Sequence, residues 1–264
     1  MEQTIPLCVM SNNVKRDPDM AARSDLMLAN YRRVMPDILG LQECDPLAYA
    51  LVVEPMIASG DYMAAGTAAT PDEISRTPIL YNARRFALLQ EESGLFADRY
   101  TNSKTYSVAV LREKESGKTV AIINVHFAII IGRYPKEIGT DEVVGNAWRI
   151  GNARQVLSIA ERIGERYGRI PVFLTGDFNS TSAQEPYAVL TERFADCLAV
   201  ASESASAPTA TFHAVGKDPD PAGLPVDFVF VFPKDQPIRT CEIRRDADMI
   251  NSTDHCAVVV TAAV

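Results

Sequence analysis

The chain lacks the cysteine pattern of a zinc site or of a disulfide-stapled domain. It has five cysteines, an odd number, with no C-x-x-C spacing: Cys8, Cys44, Cys197, Cys241 and Cys256. Scattered cysteines of this kind are more often reduced thiols than paired ones, which mildly favours a reducing compartment. We therefore predict buried free thiols that act as small apolar fillers, including Cys44 and Cys256, which adjoin candidate site residues.

Long apolar runs, low-complexity linkers and internal repeats are also missing. No stretch reaches the roughly 20 apolar residues that cross a bilayer, and the N-terminus lacks the basic, apolar and small-residue order of a signal peptide. The 264 residues, 47% of them hydrophobic, suffice for a substantial core. We expect a single domain over residues 1–264, soluble and cytoplasmic as given. A leader removed from the chain would leave no trace, so secretion stays open.

Basic residues are scarce relative to acidic ones. The 26 Lys and Arg residues against 34 Asp and Glu residues give a formal net charge of −8. Non-specific nucleic-acid binding gains most of its affinity from contacts between phosphates and many basic side chains. The charge therefore favours a small phosphorylated substrate over a nucleic acid, although a local basic patch can coexist with an acidic total. Nothing in the sequence implies an obligate protein partner.

What is present is an alternation of apolar runs with helix-start signals. Asp17-Pro18 and Asp45-Pro46 each pair an N-cap acid with proline at the first helical position. Ser182 to Glu185 fits a capping box, and helical spacing predicts the longest helix over about 146–167. From residue 209 onward we predict strands without a helix. This mixture indicates an α/β protein with two packed, largely antiparallel sheets and helices outside them.

The most informative segment is Gly176-Asp177-Phe178-Asn179, close behind the apolar run 170–174. In an extended chain, residues two apart point the same way, so a carboxylate and a carboxamide would lie side by side at the end of a strand. An acid can activate water and an amide can donate to a phosphoryl oxygen, so the pairing suits phosphoester cleavage. The alternative is an Asx-turn after a strand, a common use of both residue types.

Other polar residues also stand at the boundaries of apolar runs. Some follow a run and others precede one, so only a sheet with antiparallel neighbours can bring them to one edge. Such a sheet would gather into one cleft Asn13, Glu43, His126, Asp177, Asn179, Asp227, Asp254 and His255. Within it Glu43, Asp254 and Asn13 offer hard oxygen ligands without a thiolate or a paired histidine cage, which suits Mg²⁺ or Mn²⁺.

Six segments, in order along the chain, resemble the endonuclease/exonuclease/phosphatase superfamily: Ser11–Val14, Leu41–Glu43, Asn124–His126, Thr175–Asn179, Val226–Phe230 and Ser252–His255. The resemblance implies a four-layer α/β/β/α sandwich of two mixed, mainly antiparallel sheets flanked by helices. It also implies a Mg²⁺- or Mn²⁺-dependent hydrolase that cleaves a phosphomonoester or phosphodiester of a sugar, nucleotide or lipid headgroup by direct attack of an activated water. An endo- or exonuclease on DNA or RNA is the competing hypothesis, and a catalytically silent metal-binding module is the hypothesis of another class.

The same resemblance implies roles for the acids and amides. Glu43 would be the principal metal ligand, with Asp254 and Asn13 in or near the coordination shell. Asp177 would orient or deprotonate the attacking water, and Asn179 would donate to a phosphoryl oxygen. Taken alone, Glu43 would more often be a solvated or helix-capping acid. Asn12 competes with Asn13 as the site amide.

Histidines and an arginine complete the implied site. His255 would contact the phosphate or transfer a proton, with Asp227 holding its ring and tautomer. His126 resembles the second phosphate-binding histidine of the family, whereas a role for the third histidine, His213, stays open. Arg149 or Arg154 would match a phosphate-binding helix arginine, and a solvated helix face explains either equally well.

Two departures from the family pattern and two variable segments are also visible. Ser75 stands where relatives carry an acid before Pro78, with Glu73 or Arg76 as substitutes, and Lys15 stands where many relatives have Arg or Asp. The segments 127–145 and 199–208, the latter followed by 216–223, are predicted to be surface loops that select the substrate.

Overall fold

The computed structural model describes residues 4–70, 73–97, 104–129 and 141–264. In chain order the strands are β1 (Pro6–Asn13), β2 (Ile38–Gln42), β3 (Tyr62–Ala65), β4 (Ala68–Thr70), β5 (Glu73–Ile74), β6 (Ile79–Asn82), β7 (Phe86–Leu95), β8 (Thr105–Glu113), β9 (Thr119–His126), β10 (Val172–Asp177), β11 (Ala195–Asp196), β12 (Ser204–Ala205), β13 (Asp227–Phe232), β14 (Ile238–Ile243) and β15 (Val258–Ala263). The helices are α1 (Met20–Val34), α2 (Pro46–Ala48), α3 (Glu54–Ala58), α4 (Asp141–Tyr167), α5 (Glu185–Thr191), α6 (Cys197–Val200) and α7 (Ala247–Ser252), with a π-helical segment at Tyr49–Val53.

Two mixed sheets form the centre of the fold. The first has seven strands in the order β12-β14-β15-β1-β2-β6-β3, and the second has six in the order β11-β13-β10-β9-β8-β7. Most neighbours are antiparallel, but β1 pairs with β2 and β9 pairs with β10 in parallel. The predicted sandwich of two mixed, mainly antiparallel sheets flanked by helices is therefore confirmed.

Alternation along the central strands builds the layers. In β9, Val120 and Ile122 belong to the apolar cluster between the sheets, whereas Ala121 and Ile123 belong to a second cluster beneath α4 and α5. A third cluster joins α1 to the outer face of β1 and β2, with Tyr31 fully buried in it. Because successive side chains face opposite sides of a sheet, a strand that is covered on both sides is apolar at nearly every position. This explains why the central strands appear in the sequence as continuous apolar runs.

The helix starts and ends follow local chemistry. The Asp45 carboxylate accepts a hydrogen bond from the Ala48 amide with Pro46 at the first helical position, as the Asp-Pro pair predicts. The other pair, Asp17-Pro18, precedes a helix that begins later, at Met20. The longest described helix, α4, ends as predicted at Tyr167, and Gly168 follows in a left-handed conformation, with φ at 74°.

Three sequence predictions were wrong. The predicted capping box does not form, because α5 starts after Gln184 and its N-cap side chain makes no capping bond. The region after residue 209 contains a helix, α7, whose N-cap Asp246 accepts from the Met249 amide. One predicted loop is also shorter, because α4 includes residues 141–145 and residues 130–140 lie outside the described part of the chain.

Within the described residues, no helix combines the length and the apolar character that crossing a membrane requires. The five cysteines are free thiols, four of them buried, as predicted. Burial raises the pKa of the Cys256 thiol to about 12 and raises that of Cys44 further. Neither thiol is suited to be a nucleophile, because the thiolate is the reactive form.

Candidate active site

Strand ends from both sheets meet at one rim of the sandwich. Asp177 at the end of β10 pairs with His126 at the end of β9 on one side and with Asp227 at the start of β13 on the other. All three have the parity of strand residues that face the space between the sheets, as do Phe173 and Val229 in the inter-sheet cluster. Because β10 and β13 are antiparallel, the end of one lies beside the start of the other. A polar residue that follows one apolar run and a polar residue that precedes another therefore reach the same rim.

The same parity separates the two candidate amides on β1. The Asn13 side chain faces the other sheet, and its Nδ2 donates to Asp177 Oδ2 at 3.0 Å, while its Oδ1 accepts from the Lys15 amide at 3.0 Å. Asn12 faces the helix layer, where its Oδ1 accepts from the Tyr31 hydroxyl at 2.7 Å. Asn13 therefore holds the Asp177 carboxylate across the two sheets, and Asn12 does not face the cleft.

Asp177 is buried, and both of its carboxylate oxygens are held. Oδ1 accepts from the Asn179 amide at 2.9 Å, and Oδ2 lies 3.4 Å from His126 Nε2 and 3.9 Å from His255 Nε2. Burial and then the Asp227 charge raise the pKa of Asp177 to about 6, against the opposing charges of His255 and Lys104. An acid tuned in this way is ionised near neutral pH and basic enough to accept a proton from water.

His255 and Asp227 form a buried pair. His255 Nδ1 donates to Asp227 Oδ2 at 2.8 Å, which leaves Nε2 directed at the cleft, 4.0 Å from Asp254 Oδ1. Burial alone would lower the pKa of this imidazole, but the charge and hydrogen bond of Asp227, with Asp177 and Asp254 behind them, raise it to about 10. The ring is therefore an imidazolium, a donor and positive charge for an anion.

His126 has the opposite protonation state. Burial, the Lys104 ammonium and the charge of His255 hold the pKa of His126 well below its usual range. Lys104 contacts His126 Nε2 as a hydrogen-bond donor, which places the proton of the neutral ring on Nδ1. Lys104 was missed by the sequence reasoning. No sequence signal marks it, because the segment that leads into β8 is polar at most positions, with Asn102-Ser103-Lys104-Thr105 in succession.

Two acids at the edge of the cleft supply oxygen atoms suited to a hard cation. Glu43 follows β2 in a left-handed conformation, with φ at 58°, and its Oε2 accepts from the Arg16 amide at 3.0 Å while Oε1 lies 3.9 Å from His126 Nε2. Asp254 Oδ1 is buried and has no hydrogen-bond partner among the described residues. Burial, and the charge of Glu43 nearby, raise the pKa of Asp254. A buried carboxylate oxygen without a hydrogen-bond partner fits a divalent cation.

A second group of possible ligands lies deeper. Asp177, Asp227 and His255 offer ligand atoms within 4.8 Å of one another, and these are not the residues that the resemblance implies as ligands. Asp227 already accepts the His255 ring proton, and the raised pKa of His255 opposes metal binding, because imidazole coordinates when neutral. The chemistry of the donors therefore favours Glu43 and Asp254 over this group.

Asn179 reaches the site through an Asx-turn, the alternative that the sequence left open. The extended chain ends at Asp177, and Asn179 has a left-handed backbone, with φ at 46°. Its amide bonds the Asp177 carboxylate as in an Asx-turn, and its Nδ2 donates to the Phe127 carbonyl at 3.1 Å. The sequence argument assumed that the Asp177 and Asn179 side chains point the same way, and this is wrong. Both residues nevertheless stand at the same strand end.

The remaining candidates separate by burial. Arg149 is buried on α4 one turn before Asn152, whose Oδ1 accepts from the Ala128 amide at 3.1 Å just beyond β9, whereas Arg154 is exposed. His213 contacts the site through its backbone, since its amide donates to the Asp254 carbonyl at 2.8 Å. Its ring Nδ1 lies 3.0 Å from the Ala214 carbonyl.

Ser75 does not take the place of the missing acid. It is buried among hydroxyl groups and lies 3.0 Å from Ser107 Oγ.

Comparisons with known proteins find a matching family model and proteins of similar fold. A family model described as "Endonuclease/Exonuclease/phosphatase family" matches residues 12–255. An endonuclease/exonuclease/phosphatase from Bacteroides vulgatus has a similar structure, with a TM-score of 0.79 and 20% identity over 97% of this chain and 98% of that one. The mannosyl-6-phosphatase of Bacteroides thetaiotaomicron is similar, with a TM-score of 0.76 and 17% identity over 98% of this chain and 99% of that one. Likeness at these identities shows the fold.

One curated protein is similar in sequence. Carbon catabolite repressor protein 4 homolog 3 of Arabidopsis thaliana is 24% identical over 165 residues, which is 62% of this chain. The match covers 34% of the length of that relative.

Proposed function

Because this chain belongs to the endonuclease/exonuclease/phosphatase family, whose model matches residues 12–255, we propose that it hydrolyses phosphate esters of small molecules by direct attack of water. The observation that supports this most is the convergence of Asp177, His126 and the His255–Asp227 pair at one rim. They provide a base with a pKa of about 6, with a neutral imidazole 3.4 Å and an imidazolium 3.9 Å from its Oδ2. These are the parts that water attack on phosphorus requires.

Asp177 is the residue that takes the proton. Asn13 and the Asn179 amide fix the two carboxylate oxygens, so the carboxylate keeps one orientation toward a water in the cleft. The water proton passes to Asp177 as the oxygen attacks phosphorus and the bond to the leaving oxygen breaks. A shift of the Asp177 carboxylate away from this water would lower the rate, because proton transfer depends on the distance and orientation of the two groups.

The cations around Asp177 bind and stabilise the phosphoryl oxygens. His255 donates from Nε2 while Asp227 holds Nδ1, and Lys104 adds a second buried positive charge beside His126. Negative charge grows on the phosphoryl oxygens during the reaction, and fixed donors in a site sheltered from water stabilise it. Arg149, buried on α4, is our candidate for a further phosphate contact.

Glu43 and Asp254 would hold a Mg²⁺ or Mn²⁺ ion, with Asn13 beside them. When bound, such an ion supplies Lewis-acid polarisation of a phosphoryl oxygen and neutralises charge on the leaving group. The fit rests on the unsatisfied Asp254 Oδ1 and on the position of both acids at the histidines of the rim, with Glu43 Oε1 3.9 Å from His126 Nε2 and Asp254 Oδ1 4.0 Å from His255 Nε2.

The acidic balance of the chain, with a net charge of −8, supports a small substrate over a polynucleotide. The free, mostly buried thiols support a reducing compartment, so we place the protein in the cytoplasm.

Phosphate release from a panel of sugar, nucleotide and lipid-headgroup phosphates tests the proposal. We expect release with Mg²⁺ or Mn²⁺, loss of release in EDTA, and a fall of at least about 100-fold for Asp177→Asn, the typical effect of losing a general base. Asp235→Asn is the matched control, because Asp235 is an exposed acid that pairs with Arg169 on the surface. No release from any ester with metal present would contradict the proposal, and efficient plasmid cleavage would favour a nuclease.

A further inference from the structure

An exposed aromatic side chain stands beside the proposed phosphate site. Phe212 is 59% exposed, and its ring centroid lies 5.1 Å from that of His255 with the ring planes at 58°. More than half of the Phe212 surface is therefore left uncovered by the fold. Covering a large apolar surface is favourable, so a substrate group placed there would gain binding free energy next to the reacting phosphate.

The backbone explains why this ring faces the site. Phe212 and His255 form an isolated antiparallel bridge. Residues directly opposite each other in an antiparallel pair project from the same face, with their Cβ atoms about 5 Å apart. The neighbours Thr211 and His213 project the other way and are buried. Phe212 therefore lies on the face that carries the His255 imidazole.

The segment that carries Phe212 is fixed to the site by hydrogen bonds. The His213 amide donates to the Asp254 carbonyl at 2.8 Å, and the Cys256 amide donates to the Thr211 carbonyl at 2.8 Å. Thr211 Oγ1 accepts from the Asp227 amide at 3.1 Å. A ring carried on a backbone that is already fixed loses less freedom when a ligand binds than a ring on a free loop, which favours its use in recognition.

We propose that Phe212 is the contact for an aromatic ring of the substrate, so that the preferred substrates carry a nucleobase or an aryl group close to the scissile phosphate. This inference rests on the proposed phosphoesterase function. Phenylalanine has no hydrogen-bonding group, so it does not read sugar hydroxyls, but its flat face stacks on any base. The net charge of −8 favours a single nucleotide over a polymer.

Matched phosphate esters test the role of Phe212. Phenyl, cyclohexyl and ethyl phosphate differ in whether the leaving group is flat, bulky or small, and adenosine 5′-monophosphate supplies a nucleobase. Each is assayed as a monoester and as a methyl diester, with Mg²⁺ present. The variants are Phe212→Ala and Phe212→Trp, and Met63→Ala is the control because Met63 is 53% exposed on β3, at the far edge of the seven-stranded sheet.

We expect Phe212→Ala to lower kcat/KM about tenfold for the phenyl and adenosine esters, the loss typical of removing one stacking ring. The ethyl and cyclohexyl esters should change much less, Phe212→Trp should retain the preference, and Met63→Ala should change neither. Equal losses for all esters, unchanged selectivity, or a wild-type preference for ring-free or sugar phosphates would overturn the role of Phe212 and leave the phosphoesterase function standing. A wild-type protein inactive on every ester would overturn both.

Discussion

Replacing Asn124 with alanine should destabilise the fold and the site together. Asn124 is fully buried on β9, two residues before His126, and its side chain joins the two sheets. Its Oδ1 accepts from Gln42 Nε2 at 2.7 Å and from Thr175 Oγ1 at 3.0 Å. Its Nδ2 donates to the Leu41 carbonyl at 2.7 Å, with the Thr77 and Pro78 carbonyls at 3.1 Å and 3.2 Å.

The size of the effect follows from these bonds. Each buried hydrogen bond contributes about 1 kcal/mol, and a buried group left without a partner is penalised by about 1–3 kcal/mol. Alanine at position 124 removes at least four bonds and leaves Gln42 Nε2 with only its longer contacts to Ser11 Oγ at 3.2 Å and to the Gly40 carbonyl at 3.3 Å. We therefore expect a loss of roughly 4 kcal/mol, a large part of the stability of about 5–15 kcal/mol typical of a domain.

Urea unfolding followed by circular dichroism measures this loss. Asn251→Ala is the control, because Asn251 is exposed on α7 and its side chain bonds the Ala247 carbonyl of its own helix. In a double-mutant cycle, Asn124→Ala and Gln42→Ala should be strongly non-additive because the two amides share a hydrogen bond. A loss below about 1 kcal/mol, or additivity in the cycle, would refute the view that this amide joins the sheets.

Three further changes have expected outcomes. Lys104→Gln should lower kcat/KM by about 100-fold or more, because a buried positive charge beside His126 is lost from the site. The exposed Lys217→Gln is the control, and unchanged phosphate release would exclude a role for Lys104 at the site. Gly176→Ala should destabilise by about 1–3 kcal/mol, since a Cβ there would lie 2.4 Å from the Val125 carbonyl oxygen; Gly164→Ala, where the space is open, should keep or raise the melting temperature, and equal melting temperatures for the two variants would contradict the packing. Burial raises the pKa of Asp196 in the fold above its unfolded value near 3.8; its carboxyl therefore stabilises the fold below that value, and this contribution is lost as pH rises through the folded pKa. The stability difference between the wild type and Asp196→Asn in urea titrations should fall over that pH range, and a constant difference would show that Asp196 does not titrate differently on folding.

The sequence predicts the sheets well because most of their central strands are covered on both faces. Runs such as 120–125 and 170–174 are apolar at nearly every position, and a polar residue at their boundary marks the rim. The choice between Asn12 and Asn13 needed the structure, because β1 is apolar at both parities. Only the packing of Leu7 and Val9 between the sheets, with Met10 on the helix side, shows that Asn13 faces the cleft.

Other features depend on contacts that a single sequence does not display. Helix α7 has six residues and relies on the Asp246 cap, so no helical periodicity could develop. Lys104 differs from any surface lysine only in facing His126 across the sheet. The turn at Asn179 follows from its bond to the Phe127 carbonyl, and strand periodicity does not predict it. The roles proposed for the site residues remain predictions.

The hydrogen bond from Asn13 to Asp177 spans the seam between the two sheets, because β1 belongs to one and β10 to the other. Neither sheet carries the whole proposed site by itself. During refolding, phosphate release should therefore appear only after the two sheets have packed together, later than the circular dichroism signal of the strands and helices. The rate at which activity returns would then measure that last packing step.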